Sequence, residues 1–350
     1  MSKLFQRGLV VGKFAPLHRG HELVIRSALN ACHEVIIISY CKPEFPGCEG
    51  ARRQSWLSRL FPTARILVPT DATLAALKVN GSCFHEVPTN DASETIHRRF
   101  CGFLCTKILG VVVDAVFTSE EYGDAFAEEL TLCFREHEAN NPGVHHVLVD
   151  PQRKVFPVSG TLVREDIHSN RGWLSPQVYG SFVRRICLLG GESSGKSTLT
   201  ETLAREFGTR YVREYGRDLW EIKSGQLVFE DMTRIARCQI AMEEEAAGHA
   251  KRFLFCDTSP LTTLFYSRYL FGRAEPELER LANRYYDSVV LCAPDFTFIQ
   301  DGTRQPKAFR THQHEWYLRQ LTMRGIPFII AGGGVADRVR TVSRALTSGP

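Results

Sequence analysis

The chain has 350 residues, which is long for one domain and typical of two. Apolar residues make up 43% and charged residues 23% of it, so the composition excludes collagen, coiled coils and wholesale disorder. The formal net charge is only +4, from 43 Lys and Arg against 39 Asp and Glu. This small excess gives no electrostatic argument for a nucleic-acid partner or a membrane surface.

Targeting signals and cysteine usage indicate where the protein works. No apolar run approaches the ~20 residues that a membrane-spanning helix needs, and the N-terminus lacks the cleavage site of a secretory signal peptide. The eleven cysteines form no C-x-x-C pair, and Cys187, Cys256 and Cys292 lie in apolar strand-like runs, as reduced buried thiols would. The sequence therefore predicts a cytoplasmic protein without membrane insertion or a nucleic-acid partner.

Short apolar runs in the first half of the chain alternate with helix-period segments. A helix is predicted over Gly20–Ala31, where apolar residues recur on one face. The continuous Val/Ile run Val35–Ile38 is typical of a parallel strand covered on both faces. Five strands are predicted, at Gly8–Val11, Glu34–Ser39, Arg65–Val68, Ala115–Thr118 and His145–Asp150. This alternation predicts a doubly wound parallel α/β sheet.

A second series of strands begins near residue 185. The predicted strands are Arg185–Leu189, Phe253–Asp257, Val289–Cys292, Phe296–Ile299 and Pro327–Ala331, with a shorter strand-like run at Tyr211–Val212. Helices are predicted over Leu199–Phe207 and His312–Arg324. The stretch Asn170–Gly180 is rich in Gly, Ser and Pro and marks a boundary. We therefore expect two doubly wound parallel-sheet domains, 1–170 and 184–350, joined by a linker at 171–183.

The second domain carries a phosphate-binding motif between a predicted strand and a predicted helix. It reads Gly190-Gly191-Glu192-Ser193-Ser194-Gly195-Lys196-Ser197-Thr198 and matches G-x-x-x-x-G-K-[ST]. The glycines let backbone N–H groups surround a phosphate, and the helix N-terminus adds its positive end. Lys196 is expected to reach the β- and γ-phosphates of ATP, and the Ser197 hydroxyl to hold Mg²⁺.

Charged residues elsewhere in this half suit phosphoryl transfer. Asp257 ends an apolar strand, as the carboxylate on the Mg²⁺ side of a P-loop site does. In the box Glu214-Tyr215-Gly216-Arg217, the carboxylate can accept the proton of a substrate hydroxyl and Arg217 can orient it. The turn-prone segment after Asp301 carries Arg304 and Arg310, which could close over the phosphates. The alternative for these arginines is a solvated basic loop.

The first domain has its own candidate nucleotide site. Gly12-Lys13-Phe14-Ala15-Pro16-Leu17-His18-Arg19-Gly20-His21 follows the first strand and opens the first helix. His18 and His21, three residues apart at a helix start, can both face one anion and stabilise charge on an α-phosphate under attack. Later, Ser159 and Thr161 either cap a helix or join its amides in binding pyrophosphate, and Arg164 can add a bidentate phosphate contact.

These motifs together resemble one bifunctional family. The first motif is similar to the H-x-G-H signature of nucleotidyltransferases, and Ser159-x-Thr161-x-x-Arg164 resembles their later S-x-T-x-x-R element. The P-loop, the Glu214–Arg217 box and Asp257-Thr258 resemble a ribosylnicotinamide kinase. The resemblance, over about residues 8 to 345, is to the nicotinamide-nucleotide adenylyltransferase/ribosylnicotinamide kinases of bacterial NAD salvage.

The resemblance implies two reactions that each use ATP with Mg²⁺. The Rossmann-like first domain would join nicotinamide mononucleotide to ATP, giving NAD and pyrophosphate, through Gly12, Lys13, Phe14, His18, His21, Ser159, Thr161 and Arg164. The P-loop domain would phosphorylate nicotinamide riboside, with Ser197 and Asp257 as the metal ligands. The resemblance leaves open whether Glu214 or Asp257 is the base of the kinase reaction. Tyr215 and Arg217 are the candidates for binding the riboside substrate. Whether the protein forms a homo-oligomer is also left open.

The sequence departs from the family pattern in places. The family has a tryptophan near the nicotinamide ring, in the segment matching 88–103; here His97 or Phe100 is the stacking candidate. Arg53, at the start of a helix after the second strand, is a candidate phosphate contact. The first strand begins by about residue 8, so we expect no N-terminal helix-turn-helix repressor domain. Two alternatives are a phosphopantetheine adenylyltransferase/dephospho-coenzyme A kinase fusion, and an active kinase with a nucleotide-sensing first domain.

Overall fold

The computed structural model describes residues 3–77, 84–295 and 307–348. The chain divides into two compact units, Met1–Val178 and Tyr179–Pro350. Each unit contains one five-stranded sheet in which every strand pair is parallel. The predicted fold class, two α/β domains with parallel sheets, is confirmed.

The first unit has strand order β3-β2-β1-β4-β5. Its strands are β1 (Phe5–Gly12), β2 (Cys32–Ser39), β3 (Arg65–Leu67), β4 (Ala115–Thr118) and β5 (His145–Leu148). Its helices are α1 (Arg19–Ala31), α2 (Gly50–Leu60), α3 (Asp71–Leu77), α4 (Glu94–Phe103), α5 (Gly123–His137) and α6 (Gly160–Glu165), and a π-helical turn at Leu104–Leu109 continues α4. The central strand β1 pairs with β2 on one side and β4 on the other.

Burial explains why the first sheet forms at these residues. Ile36, Ile37 and Ile38 of β2 are completely buried, as expected for a strand that helices cover on both faces. The predicted last strand ends early, at Leu148 rather than Asp150. The reason is that Asp150 adopts a positive φ of 50°, which is incompatible with a strand, and accepts backbone N–H bonds from Lys154 and Val155.

The second unit has strand order β10-β9-β6-β8-β7. Its strands are β6 (Arg184–Leu189), β7 (Arg210–Val212), β8 (Phe253–Asp257), β9 (Ser288–Cys292) and β10 (Phe328–Ala331). Helix α7 (Pro176–Tyr179) lies at the division between the two units. The helices of the second unit are α8 (Lys196–Glu206), α9 (Tyr215–Ile222), α10 (Phe229–Ala247), α11 (Pro260–Phe271), α12 (Pro276–Leu281), α13 (Lys307–Met323) and α14 (Val335–Thr347). Helices α8 and α14 pack on one face of this sheet, and α9 to α13 pack on the opposite face.

Two predicted elements in the second half differ from the structure or lie beyond it. The predicted helix over His312–Arg324 begins earlier, at Lys307, because Phe309 packs into the aromatic cluster around Phe265. The predicted strand Phe296–Ile299 lies outside the described residues. Within the described ranges, no helix combines the length and the apolar character needed to cross a membrane.

In open parallel sheets, ligands bind beyond the carboxyl ends of strands, where connections leave toward opposite faces. Strand β1 in the first unit and strand β6 in the second unit are each flanked by parallel strands on both sides. The H-x-G-H motif follows β1 and the P-loop follows β6. The fold therefore places both sequence motifs at the edge of the sheet where nucleotides bind.

Candidate functional sites

The two histidines of the first motif cap helix α1 reciprocally. His18 is the N-cap residue, and its Nδ1 accepts a hydrogen bond from the His21 N–H, while His21 Nδ1 accepts one from the His18 N–H. Both donor–acceptor distances are 3.4 Å, and the two rings stack with centroids 3.6 Å apart. Since both Nδ1 atoms act as acceptors, each neutral ring carries its proton on Nε2. The pair therefore keeps two Nε2–H donors that the helix cap does not use.

Electrostatics keep these two rings uncharged near neutral pH. Burial, with Arg153 and Arg164 contributing, lowers the pKa of His18 to about 4. Burial and the neighbouring His18 and Arg153 hold the pKa of His21 well below its usual range. Neutral imidazoles can donate hydrogen bonds to a phosphate at pH 7 without gaining or losing a proton.

A cavity of about 170 Å³ lies in front of the histidine pair. His18, Gly20, His21, Arg153 and residues of the Ser159 motif are among the residues that line it. Arg153, which the sequence interpretation missed, forms an ion pair of 3.1 Å with Glu120. The only sequence signal was a basic residue shortly before the Ser159 motif, and the fold is needed to bring it to the histidines.

The second motif of this unit is connected to the first through Arg164. Ser159 caps helix α6 and accepts the Leu162 N–H at 3.1 Å. The Arg164 guanidinium donates to the Ala15 carbonyl and to the Thr161 hydroxyl, the latter at 3.1 Å. A Cβ at position 160 would lie 3.3 Å from the Ala15 carbonyl oxygen, so Gly160 allows this close approach.

Arg53 does not have the phosphate-binding role that the sequence suggested. Its side chain is only 1% exposed, and it donates to the Ser39 hydroxyl at 2.9 Å and the Lys13 carbonyl at 3.3 Å. It also forms a 2.7 Å ion pair with Glu44. Arg53 is therefore a buried support of the loop after β1, because packing closes it off from any ligand.

The predicted aromatic contacts of this site are also corrected by burial. Phe100 is completely buried in the core and has no ring face to offer a ligand, whereas His97 is half-buried. His97 Nδ1 hydrogen-bonds the Tyr40 hydroxyl at 3.0 Å, and burial and the Lys13 ammonium lower the pKa of His97. Phe14, 1% exposed, contacts His21 edge-on and supports that ring from below the surface.

Gly12 makes room for the Phe14 ring that supports His21. A Cβ at position 12 would lie 2.8 Å from the Phe14 ring, so a larger residue would displace that ring and with it His21. Lys13 is exposed, and its ammonium lies close enough to His97 to lower the pKa of that residue. The structure thus brings together His18, His21, Thr161 and Arg164, places Lys13 near His97, and leaves Arg53 and Phe100 in the interior.

The P-loop of the second unit has the backbone conformations that wrap a phosphate. Gly190, Ser193 and Gly195 have positive φ values of 151°, 58° and 79°. A Cβ on Gly191 would lie 2.6 Å from the Arg310 carbonyl oxygen, so only glycine fits there. Lys196 Nζ donates to the Gly191 carbonyl at 3.1 Å, which lays its side chain across the loop.

The residues around Lys196 complete the loop. Ser197 and Thr198 are exposed in the first turn of α8, whereas Ser194 is completely buried. The Glu192 N–H donates to Gln313 Oε1 at 2.9 Å, and its carboxylate accepts the Tyr266 hydroxyl at 2.8 Å. Hydroxyls and amides at the helix start are therefore available to an anion, and Glu192 holds the loop in place.

Two carboxylates lie close to Lys196. Burial raises the pKa of Asp257, and Lys196 and a hydrogen bond from Ser197 oppose that rise. Burial raises the pKa of Glu214 to about 7, with Lys196 opposing and Asp257 adding to the rise. Asp257 Oδ1 is buried and has no hydrogen-bond partner among the residues that the structure describes. The site thus holds one carboxylate bonded to Ser197 and another that exchanges a proton near neutrality.

The other residues of the Glu214–Arg217 box have separate environments. The Tyr215 hydroxyl hydrogen-bonds Cys238 and Arg234 of α10. Arg217 is exposed and donates to Glu221 at 3.2 Å, and its charge lowers the pKa of Glu214 and Asp257. Arg217 therefore lies near enough to the carboxylate pair to act on it by its charge, while Tyr215 is anchored on the neighbouring helix.

The predicted arginine-bearing loop is partly replaced by a helix. Arg310 lies in α13, 4% exposed, and packs against Gly191 of the P-loop, so it is not the mobile residue that the sequence suggested. The helix there begins at Lys307 and buries Arg310 together with Phe309. Arg304 lies outside the described residues.

A buried arginine that the sequence interpretation missed supports the P-loop. Arg338 of α14 is 0% exposed and donates to the Ser194 carbonyl at 2.7 Å and to the Ala293 and Gly333 carbonyls, both at 2.9 Å. It also forms a close ion pair with Asp295. One side chain thus joins the P-loop, the end of β9 and the glycine turn before α14.

Comparison with known proteins agrees with this architecture. A family model described as an AAA domain matches residues 185–338. The trifunctional NAD biosynthesis/regulator protein NadR of Salmonella typhimurium is 30% identical over 306 residues, covering 85% of this chain and 71% of that protein. Two crystal structures of NadR protein, one in complex with NR and one with NAD and AMP-PNP, have TM-scores of 0.63 to this chain. They are 19% and 17% identical and cover 100% of this chain and 98% of theirs, so the fold is shared over both units.

Proposed function

Because this chain belongs to the family of the NadR NAD biosynthesis/regulator proteins, we propose that it is a bifunctional transferase of NAD salvage. Membership in this family confirms the resemblance that the sequence motifs indicated. The second unit phosphorylates nicotinamide riboside with ATP. The first unit transfers the adenylyl group of a second ATP to the resulting mononucleotide, forming NAD and releasing pyrophosphate.

The observation that carries the proposal is the pair of separate phosphate sites. Each unit places an anion-binding loop after a central parallel strand, His18–His21 after β1 and Gly190–Thr198 after β6. Each loop also has partners suited to one of the two reactions, neutral imidazole donors in the first unit and a carboxylate pair in the second. Two consecutive transfers from ATP require two such sites.

The kinase reaction needs a base near the attacking hydroxyl and positive charge on the phosphates. Lys196, together with the amides of the loop, holds the β- and γ-phosphates. Glu214 accepts the proton of the 5′-hydroxyl of nicotinamide riboside, because burial raises its pKa to about 7, close to the working pH of a general base. Asp257 is less suited to this role since it already accepts a hydrogen bond from Ser197.

The residues present suit Mg²⁺ brought in with ATP. The exposed Ser197 hydroxyl and the buried, unpartnered Asp257 Oδ1 are oxygen ligands of the kind that Mg²⁺ prefers. When bound, Mg²⁺ would neutralise negative charge on the phosphates of ATP. The described residues contain no group of three or more His, Cys, Asp or Glu that could hold a metal by themselves, so most ligands would come from phosphates and water.

Adenylyl transfer in the first unit requires stabilisation of charge on the α-phosphate without a covalent intermediate. His18 and His21 donate their Nε2–H groups to that phosphate as the mononucleotide phosphate attacks. Arg153 and Arg164, whose charges act on the histidine pair, supply the positive charge that holds the phosphates of ATP and the departing pyrophosphate. The exposed Lys13 is a further candidate for this role. His97 lies on the Lys13 side of the site and is the remaining candidate for contact with the nicotinamide ring.

A product assay tests the proposal directly. Purified protein is incubated with ATP, Mg²⁺ and nicotinamide riboside, and mononucleotide and NAD are quantified separately over time. We expect mononucleotide to appear first and NAD to follow. Mononucleotide without NAD, even after mononucleotide is added as substrate, would assign a nucleotide-sensing role to the first unit. If neither product forms while phosphopantetheine is adenylylated, the alternative coenzyme A fusion would replace the proposal.

A further inference from the structure

The start of helix α9 is capped by a residue from another helix. Glu214 occupies the N-cap position but makes no capping hydrogen bond with its side chain. The first N–H of the helix, that of Tyr215, donates instead to Gln239 Oε1 of α10 at 2.9 Å. Gln239 is 2% exposed, so this bond is made in the protein interior. An N-cap side chain normally accepts the N–H of the second or third helical residue, so the bond from Gln239 to the first N–H is an additional anchor for this helix start.

A buried ion pair lies beside the Gln239 amide. The Glu243 carboxylate, one turn further along α10, accepts bonds from Arg284 at 2.9 Å and from the Tyr286 hydroxyl at 3.0 Å. The Gln239 amide lies close enough to this carboxylate to lower the pKa of Glu243, although Gln239 Nε2 makes no hydrogen bond within the described residues. A carboxylate only accepts and a backbone N–H only donates, so the amide nitrogen faces Glu243 and the oxygen faces Tyr215.

We propose that Gln239 is a positioning residue for the kinase reaction: by holding the N–H of the peptide bond that follows Glu214, it fixes the backbone from which the Glu214 carboxylate is directed at Lys196 and the reacting hydroxyl. This inference rests on the proposed function, in which Glu214 is the base. Without the Gln239 oxygen, the Tyr215 N–H loses its partner in the interior, and the start of α9 is no longer held against α10. The Glu214 carboxylate would then move away from the position in which it meets the substrate hydroxyl.

Two substitutions separate this role from a structural one. Gln239→Met keeps the length of the side chain but removes the acceptor, whereas Gln239→Glu keeps the acceptor and places a second carboxylate beside Glu243. We expect Gln239→Met to lower kcat of riboside phosphorylation about 100-fold, the usual cost of misplacing a catalytic group by about 1 Å, with KM for both substrates unchanged. Gln239→Glu should lower the melting temperature more but retain most of kcat. If Gln239 had only a structural role, the variant with the lower melting temperature would also have the lower kcat.

A matched control lies on the same helix. Thr233 is 4% exposed and donates to Glu275, so Thr233→Val removes a buried hydrogen bond of α10 that does not reach α9. We expect this variant to keep the kcat of the unmodified protein. The inference is overturned if Gln239→Met has the kcat of the unmodified protein, or if the substitution raises KM and leaves kcat unchanged. It is also overturned if Gln239→Glu is as inactive as Gln239→Met.

A second readout does not depend on activity. Hydrogen exchange at the Tyr215 amide should be faster in Gln239→Met than in Gln239→Glu or the unmodified protein. If the unmodified protein does not phosphorylate nicotinamide riboside, the proposed function fails, and the exchange rate alone then decides whether Gln239 caps α9. Equal exchange in all three proteins would refute the capping role.

Discussion

Replacing Arg338 by methionine should destabilise the second unit strongly. The guanidinium donates to three backbone carbonyls, those of Ser194, Ala293 and Gly333, and pairs with Asp295. It is 0% exposed, so no water can replace these bonds while the surrounding structure persists. Methionine fills a similar volume but offers no donor, which leaves the carbonyls and Asp295 without their partner.

The magnitude follows from the burial of each group. Removing one partner of a fully buried ion pair costs about 3–5 kcal/mol, and hydrogen bonds to a charged donor contribute about 1.5–3 kcal/mol each. The Asp295 side chain is 40% exposed, so water solvates it after the change and the ion pair contributes less than a buried one. The lost bonds are not additive. We therefore expect a loss of about 4 kcal/mol, or about 8–16 °C in melting temperature for a unit of this size.

Differential scanning calorimetry of the full chain measures this loss. The matched control is Arg340→Met, on the same helix, where the side chain is 70% exposed and pairs with Asp337 at the surface. That change should shift the melting temperature by less than about 4 °C, as exposed ion pairs contribute less than about 1 kcal/mol. If Arg338→Met shifts the melting temperature no more than Arg340→Met does, the reasoning from buried hydrogen bonds is wrong.

Three further predictions concern catalysis. Lys196→Ala should abolish phosphorylation of nicotinamide riboside and spare adenylyl transfer from added mononucleotide, and His21→Ala should do the reverse; loss of both activities from either change would contradict two independent sites. Because the raised pKa keeps the Glu214 carboxyl half protonated at about pH 7, kinase kcat should rise about tenfold from pH 6 to pH 8. A flat profile would exclude Glu214 as the base. Adenylyl transfer should instead be constant over this range, because the lowered pKa of His18, about 4, leaves its ring neutral, and an inflection near pH 6.5 would contradict a neutral pair.

The local motifs and the fold class could be predicted from the sequence. The P-loop and the H-x-G-H segment are contiguous, and their backbone conformations depend on glycines and a helix start within a few residues. The hydrophobic runs within β1, β2, β6 and β8 are continuous and buried, as in parallel strands that helices cover on both faces. Such signals act over short stretches of chain, where periodicity and turn chemistry are strong.

The wrong predictions at the two sites concern side chains that the fold buries. From the sequence, Arg53 was a candidate phosphate contact at a helix start, and Arg310 was expected in a mobile segment that closes over the phosphates. The structure buries them, Arg53 under the loop after β1 and Arg310 against the P-loop. Phe100 was a stacking candidate by its position, but it is a core residue. A side chain's exposure depends on what packs over it, and the covering segments are distant in sequence.

The sequence analysis missed three further residues for the same reason. Arg153 reaches the histidine pair, Arg338 reaches the P-loop and Gln239 reaches the start of α9, each from an element far along the chain. No local pattern marks these residues, since an arginine or glutamine in a helix or turn is common. The residue types that bind phosphate can thus be read from short motifs. Their exposure, protonation and support depend on which distant segments the packed sheets bring together, because desolvation and charge interactions act over a few ångströms in space rather than along the chain.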